Sequence, residues 1–129
     1  AEFKNKNVLI VDDSIVRGTT SKEIVQMAKD AGANKVFFTS AAPPVRYPHV
    51  YGINMPNRDE LIAHDRTISE IADHLEIDNL VYQSIESLRK SIISDSHIKD
   101  LEMSCFTGSY VTGTVNQEYL NWVENEYKS

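Results

Sequence analysis

The stretch Val8-Leu9-Ile10-Val11-Asp12-Asp13-Ser14-Ile15-Val16-Arg17-Gly18-Thr19-Thr20-Ser21 constrains this chain more than any other, because an apolar run breaks off into two acids and a small polar loop. Val8 to Val11 is too short for a helix and reads as a strand buried on both faces, as in a parallel sheet. After the loop, Ile24, Met27, Ala28 and Ala31 recur at helical spacing. They predict one apolar face of a helix over Thr20 to Ala31, which Gly32 stops. Lys35 to Ser40 reads as a second strand. Strand, helix and strand within about 35 residues make a right-handed βαβ unit, so the fold class is α/β.

The remainder fits that class. All four prolines fall between Ala41 and Pro56, which argues against helix there and predicts an ordered irregular segment. Asn57 caps a short helix over Arg58 to Ala63. Thr67 and Glu70 form a capping box for a helix carrying Ile68, Ile71, Ala72 and Leu75. Leu80 to Tyr82 is a third strand, Ser84 caps a helix over Ile85 to Ile93, and a last helix runs from Gln117 to Tyr127. With 129 residues, 41% of them hydrophobic, the chain is the size of one domain and can bury a core. Its net charge of −6 argues against nucleic acid or an anionic membrane as a partner. No apolar run approaches the roughly 18 residues of a membrane span, and no signal-peptide pattern is visible. The single cysteine, Cys105, excludes an internal disulfide and any multi-cysteine metal site, and it fits a reducing compartment. The expected location is the cytoplasm.

Ligands of open parallel sheets bind at the carboxyl ends of strands, which is where Asp12 and Asp13 fall. The loop behind them runs into a helix N-terminus, whose free N–H groups and partial positive charge can cradle a phosphate without nearby lysines. Gly18 allows close backbone approach, and Thr19, Thr20 and Ser21 can add hydroxyl donors. Ionised carboxylates only accept hydrogen bonds, which suits the paired hydroxyls of a ribose, and two of them can also hold Mg²⁺. They are placed to stabilise positive charge developing at the anomeric carbon. The bland reading takes Asp12 and Asp13 as turn and cap residues; the glycine and hydroxyl run at this spacing outweighs it, and the residues predict a ribose 5-phosphate site. A phosphoacceptor receiver domain also ends its first strand in two acids. It needs a later strand ending in the acceptor aspartate, yet Asn54-Met55-Pro56-Asn57-Arg58 before Asp59 is no strand, and no late Lys-Pro pair follows.

The segment from Val8 to Ser21 resembles the phosphoribosyl pyrophosphate (PRPP) motif of type I phosphoribosyltransferases, and more narrowly that of the glutamine PRPP amidotransferases, or amidophosphoribosyltransferases. The similarity continues through Ser40-Ala41-Ala42-Pro43-Pro44, Tyr51-Gly52-Ile53-Asn54-Met55-Pro56, Glu60-Leu61-Ile62-Ala63 and Cys105-Phe106-Thr107-Gly108-Ser109-Tyr110, and so covers nearly the whole chain. The resemblance implies part of a type I phosphoribosyltransferase parallel-sheet fold with C-terminal helices. It implies transfer of glutamine-derived ammonia to C1 of PRPP, giving 5-phosphoribosylamine, pyrophosphate and glutamate in de novo purine synthesis. Asp12 and Asp13 would be the catalytic acids, binding the ribose hydroxyls and one Mg²⁺ per subunit. Ser14, Ile15, Val16, Arg17, Gly18, Thr19 and Thr20 would receive the 5-phosphate, and inhibitory purine nucleotides would reuse that pocket. The intact enzyme would be a homo-oligomer, a tetramer. The family places a glutaminase domain, a pyrophosphate loop and a lid upstream of the motif. Residues 1–129 are therefore expected to be the C-terminal portion of a phosphoribosyltransferase domain, without the glutaminase domain and the first strands, and inactive alone.

The family divides over an iron–sulfur cluster. Members that hold one show a Cys in the Tyr-Pro-Cys position of the proline-rich segment and a Cys-x-x-Cys before the Cys-Phe-Thr-Gly run. Here the first position is His49, and the residues three and six before Cys105 are Glu102 and Lys99. Cluster irons are held by thiolates, so no cluster is expected. Cys105 reads as a packed thiol, and His49, His64, His74 and His97 as surface or interface residues. Arg17 either contacts the ligand, orients the loop or pairs with an acid; Tyr119, Trp122 and Tyr127 suit core or subunit packing. The alternative function is a non-catalytic phosphoribosyltransferase-fold sensor of PRPP or nucleotide carrying a DNA-binding module, which the acidic balance disfavours.

Overall fold

A computed structural model describes residues 2–52 and 57–128. In chain order it contains β1 (Asn7–Asp12), α1 (Thr19–Asp30), β2 (Lys35–Ser40), a 3₁₀ turn (Arg58–Glu60), α2 (Ile68–Leu75), β3 (Asn79–Tyr82), α3 (Ile85–Ile93), α4 (Ser104–Thr107) and α5 (Gln117–Lys128). The three strands form a parallel sheet in the order β1-β2-β3. Asp12 lies opposite Ser40 and Ser40 opposite Tyr82, so all three strands end level. That shared edge is where backbone groups run out of ladder partners, and the loops that follow them meet there.

The core lies between the sheet and the helices α1 and α2. Phe38 and Val36 of β2 interdigitate with Val25 and Ala28 of α1, Ile71 and Leu75 of α2, and Ile15 and Ile62 from loops. Fully burying side chains of this size is worth roughly 1.5–3 kcal/mol each, and the cluster reaches the carboxyl edge through Ile15 and Tyr82. The caps form as their residues predict. Thr67 and Glu70 complete a capping box on α2, Ser84 accepts from the Ser87 N–H on α3, and Asn57 accepts from the Asp59 N–H.

Three expectations need correction. The β1 run is buried on one face only: Ile10 packs on the core, whereas Leu9 is 63% and Val11 69% exposed. Val81 of β3, 54% exposed, is on the same open side. An all-apolar run allows either face to be covered, and within these residues only one is. The buried stripe of α1 is Ser21, Val25 and Ala28, and Met27 is 69% exposed. Two apolar stripes at helical spacing compete on this helix, and the β-branched Val25 takes the sheet-facing place. Finally, the helix expected over Arg58 to Ala63 stops after one 3₁₀ turn, and Leu61, Ile62 and Ala63 continue as a buried irregular segment. The proline-rich segment is irregular over its described part, as its composition predicts; Ile53, Asn54, Met55 and Pro56 of the Tyr-Gly-Ile-Asn-Met-Pro stretch lie outside the described residues.

Candidate functional site

Asp12 is the last residue of β1 and Asp13 the first beyond it. Their backbone carbonyls accept from the N–H groups of Ala41 and Ala42, both at 2.9 Å. The Ser40 hydroxyl in turn donates to the Ala42 carbonyl at 2.8 Å, and the Ser40 carbonyl accepts from the Gln83 N–H at 3.1 Å. The turn carrying the two acids is therefore tied to the ends of both other strands. The acid side chains are braced locally. Asp12 Oδ1 accepts from the Asp13 N–H at 2.8 Å, and Asp13 Oδ1 accepts from the Ser14 hydroxyl at 3.1 Å. Among the described residues no Lys, Arg or His forms an ion pair with either carboxylate. Each keeps acceptor positions for a polyol or a cation.

The loop from Ser14 to Gly18 sits on the core through Ile15, only 1% exposed, so of that residue only the backbone can meet a ligand. Gly18 is the N-cap of α1 in the left-handed conformation, φ 81°. No side chain caps this helix, and its first turn carries no acid. An N-cap would ordinarily be Ser, Thr, Asp or Asn, satisfying the free N–H groups; here those groups are left to an outside acceptor, next to two carboxylates. Thr19 and Thr20 are exposed at this end, whereas Ser21 is 3% exposed and points to the core. Ser21 is thus removed from the three hydroxyls counted as phosphate donors. Arg17 pairs with Glu60, Nη2 to Oε2 at 3.3 Å, which realises one of the roles open to it. With both partners about half exposed the pair contributes little stability, but it sets the direction of the guanidinium.

Support from below was not legible in the motif itself. The Ile62 N–H donates to the Val16 carbonyl at 3.0 Å, and the Ile62 side chain fills the space beneath Gly18. A glycine is required there twice over, by its φ and by this contact.

A second region lies apart from the acids. His49 Nε2 is 3.6 Å from Glu102 Oε1, and the His49 ring stacks on Tyr110 with centroids 5.6 Å apart. Burial works to raise the Glu102 carboxyl, but hydrogen bonds from Ser104 and Val111 and the neighbouring His49 hold it below the usual range. Burial pushes the Cys105 thiol up, as suits a packed, unreactive cysteine. An open cavity of about 530 Å³ lies between Tyr47–Gly52 and α5, where Trp122 is 57% and Tyr127 70% exposed, so these aromatics line a surface rather than a core. Among the described residues no three His, Cys, Asp or Glu side chains are grouped to hold a metal, and no helix is long and apolar enough to cross a membrane.

Compared with known proteins, the chain is 53% identical over 127 residues to an amidophosphoribosyltransferase of Haemophilus influenzae, a match covering 98% of this chain and 25% of that protein. It superposes with TM-score 0.75 and 40% identity on the B. subtilis glutamine PRPP amidotransferase complexed with ADP and GMP, over 84% of this chain and 24% of that one. With a structure described as the allosteric regulatory enzyme of purine biosynthesis, the TM-score is 0.78 at 38% identity, over 94% of this chain and 26% of that one. No family model matches the chain. The chain thus spans about a quarter of the length of the relatives it matches, and its open parallel sheet with helices has the type I phosphoribosyltransferase fold of these amidotransferases.

Proposed function

Over that quarter of their length the 129 residues belong to the amidophosphoribosyltransferase family, and from this premise we propose that the intact protein transfers glutamine-derived ammonia to C1 of PRPP. The products are 5-phosphoribosylamine, pyrophosphate and glutamate, and the step belongs to de novo purine synthesis. One observation carries the reading: the uncapped N-terminus of α1, opened by Gly18, lies one loop away from two carboxylates that have no cationic partner among the described residues.

In this reading the backbone from Ser14 to Thr20 and the Thr19 and Thr20 hydroxyls take the 5-phosphate, with the helix dipole favouring the anion. Asp12 and Asp13 accept hydrogen bonds from the ribose hydroxyls, which fixes C1 for attack. As pyrophosphate departs, positive charge grows on the ribose ring, and two carboxylates already braced by the Asp13 N–H and the Ser14 hydroxyl stabilise it without reorganising. The same pair fits Mg²⁺, which is held by one or two carboxylates together with substrate phosphates. When bound, the ion would neutralise charge on the pyrophosphate leaving group. A purine nucleoside monophosphate presents the same ribose 5-phosphate, so it would compete for this cradle; the relative solved with ADP and GMP supports nucleotide binding of this kind.

Residues 1–129 are the C-terminal portion of the phosphoribosyltransferase domain in this proposal, inactive without the upstream glutaminase domain and first strands, and the intact enzyme is a cytoplasmic homotetramer. It carries no iron–sulfur cluster, since His49, Glu102 and Lys99 stand where cluster-holding members have thiolates. Replacing Asp12 and Asp13 by Asn in the full-length protein tests the central claim. Phosphoribosylamine synthesis should fall below detection while basal glutamine hydrolysis survives; unchanged synthesis kinetics would sink it.

A further inference from the structure

The segment Leu61-Ile62-Ala63 is almost fully buried, at 1%, 3% and 0% exposure, yet belongs to no helix or strand. Buried backbone without a ladder must find its hydrogen bonds elsewhere, and here guanidinium groups supply those of the Ile62 and Ala63 carbonyls. Arg46 Nη1 donates to the Ala63 carbonyl at 2.7 Å and to the Arg66 carbonyl at 2.8 Å, and Arg66 Nη1 donates to the Ile62 carbonyl at 3.0 Å. Charge-assisted bonds of this kind are about twice as strong as neutral ones. The Arg46 backbone is itself anchored, its N–H donating to the Cys105 carbonyl at 2.9 Å.

On its other side the same segment carries the phosphate loop, through the Ile62 N–H to the Val16 carbonyl and the Ile62 side chain beneath Gly18. We propose that Arg46 is a positioning residue for the phosphate loop: by holding the Ala63 carbonyl that ends the Leu61–Ala63 segment, together with the Arg66 carbonyl beyond it, it fixes the surface on which Val16 and Gly18 rest. The inference builds on the ribose 5-phosphate reading of that loop. Arg46 makes no bond to Asp12, Asp13 or any residue from Ser14 to Thr20, so its effect passes wholly through Ala63 and Ile62. Methionine keeps most of the stem and no donor. Lysine keeps the charge, but its ammonium cannot reproduce the planar fork.

The test uses the full-length protein with Arg46→Met and Arg46→Lys. Ribose 5-phosphate affinity is measured by calorimetry, PRPP-dependent synthesis by steady-state kinetics, and glutamine hydrolysis separately. In R46M the affinity for ribose 5-phosphate should fall and the KM for PRPP rise by about tenfold, in the range that sub-ångström to ångström misplacement produces. Both kcat and glutamine hydrolysis should hold within about threefold, because the acids and the distant chemistry are untouched. R46K should recover part of the affinity. If R46M does not fold, an R46K protein that binds like wild type overturns the proposal, and one weakened in affinity alone supports it. Unchanged affinity in R46M, or a parallel fall of every property with the folded fraction, also overturns it. A wild-type protein that binds no ribose 5-phosphate defeats instead the reading on which the inference rests.

Discussion

Gly18→Ala is the sharpest perturbation of the site, because two separate penalties fall on one methyl group. Gly18 has φ +81°, and an alanine there costs about 1–2 kcal/mol from backbone crowding alone. The added Cβ would also stand 2.5 Å from Ile62 Cδ1 and 3.2 Å from Leu75 Cδ2. Forcing a methyl into packed surroundings adds about 1–3 kcal/mol. The sum is roughly 3 kcal/mol, a large fraction of the 5–15 kcal/mol that holds a typical domain together.

The two penalties can be separated. Ile62→Val removes the very atom that lies at 2.5 Å and by itself costs about 1 kcal/mol. In the G18A/I62V double variant the steric part is relieved while the φ part remains. Urea unfolding of the 129-residue chain, followed by circular dichroism, should give a double-mutant cycle with a favourable coupling of about 1 kcal/mol or more. Additivity within about 0.5 kcal/mol, or a G18A cost below about 1 kcal/mol, would refute the claim that Ile62 is packed beneath the loop.

Other measurements follow from the same geometry. The purified 129-residue chain should release no pyrophosphate from PRPP, checked by a coupled phosphate assay. Thr67→Ala removes the α2 cap and should cost about 1 kcal/mol in urea. Because the folded Glu102 carboxyl sits below its ordinary range, its contribution is fully present above that range and is lost as pH falls through the depressed value. Glu102→Gln should therefore lower stability at neutral pH, where that contribution is fully present, converge on wild type as pH falls, and so flatten the acid limb of the stability curve. Anaerobically purified full-length protein should be colourless, and a brown protein with about four irons per chain would contradict the cluster-free assignment.

How much of this is legible in the sequence depends on how local the cause is. The βαβ unit and the caps at Thr67 and Ser84 are set by residues a few positions apart, and they appear where their patterns place them. Asp12, Asp13 and Gly18 are likewise placed by one strand, one loop and one helix start. Ile62 and Arg46 escape notice because they act on the loop from 44 and 28 positions beyond Gly18. Nothing in their own neighbourhoods announces it. The 3₁₀ turn that ends at Glu60 is the one local clue, since a helix continued to Ala63 would have turned the Ile62 N–H back onto its own backbone instead of toward Val16.

If the loop takes a ribose 5-phosphate as proposed, that division of labour explains how an acidic chain would hold a doubly anionic group. With a net charge of −6 the protein offers no general attraction to phosphate, and the one cation of the motif, Arg17, is drawn to Glu60. Attraction must then come from fixed backbone dipoles, and dipoles act over short range only when they are aimed. Aiming requires a loop that does not relax, which is what a buried Ile15, a left-handed Gly18 and the Ile62 support provide. The same loop holds two carboxylates that repel a misplaced phosphate. In the proposed site a phosphate displaced toward Asp12 and Asp13 would lose donors and meet charge at once, so the acids would sharpen the selection of a sugar whose phosphate and hydroxyls are correctly spaced.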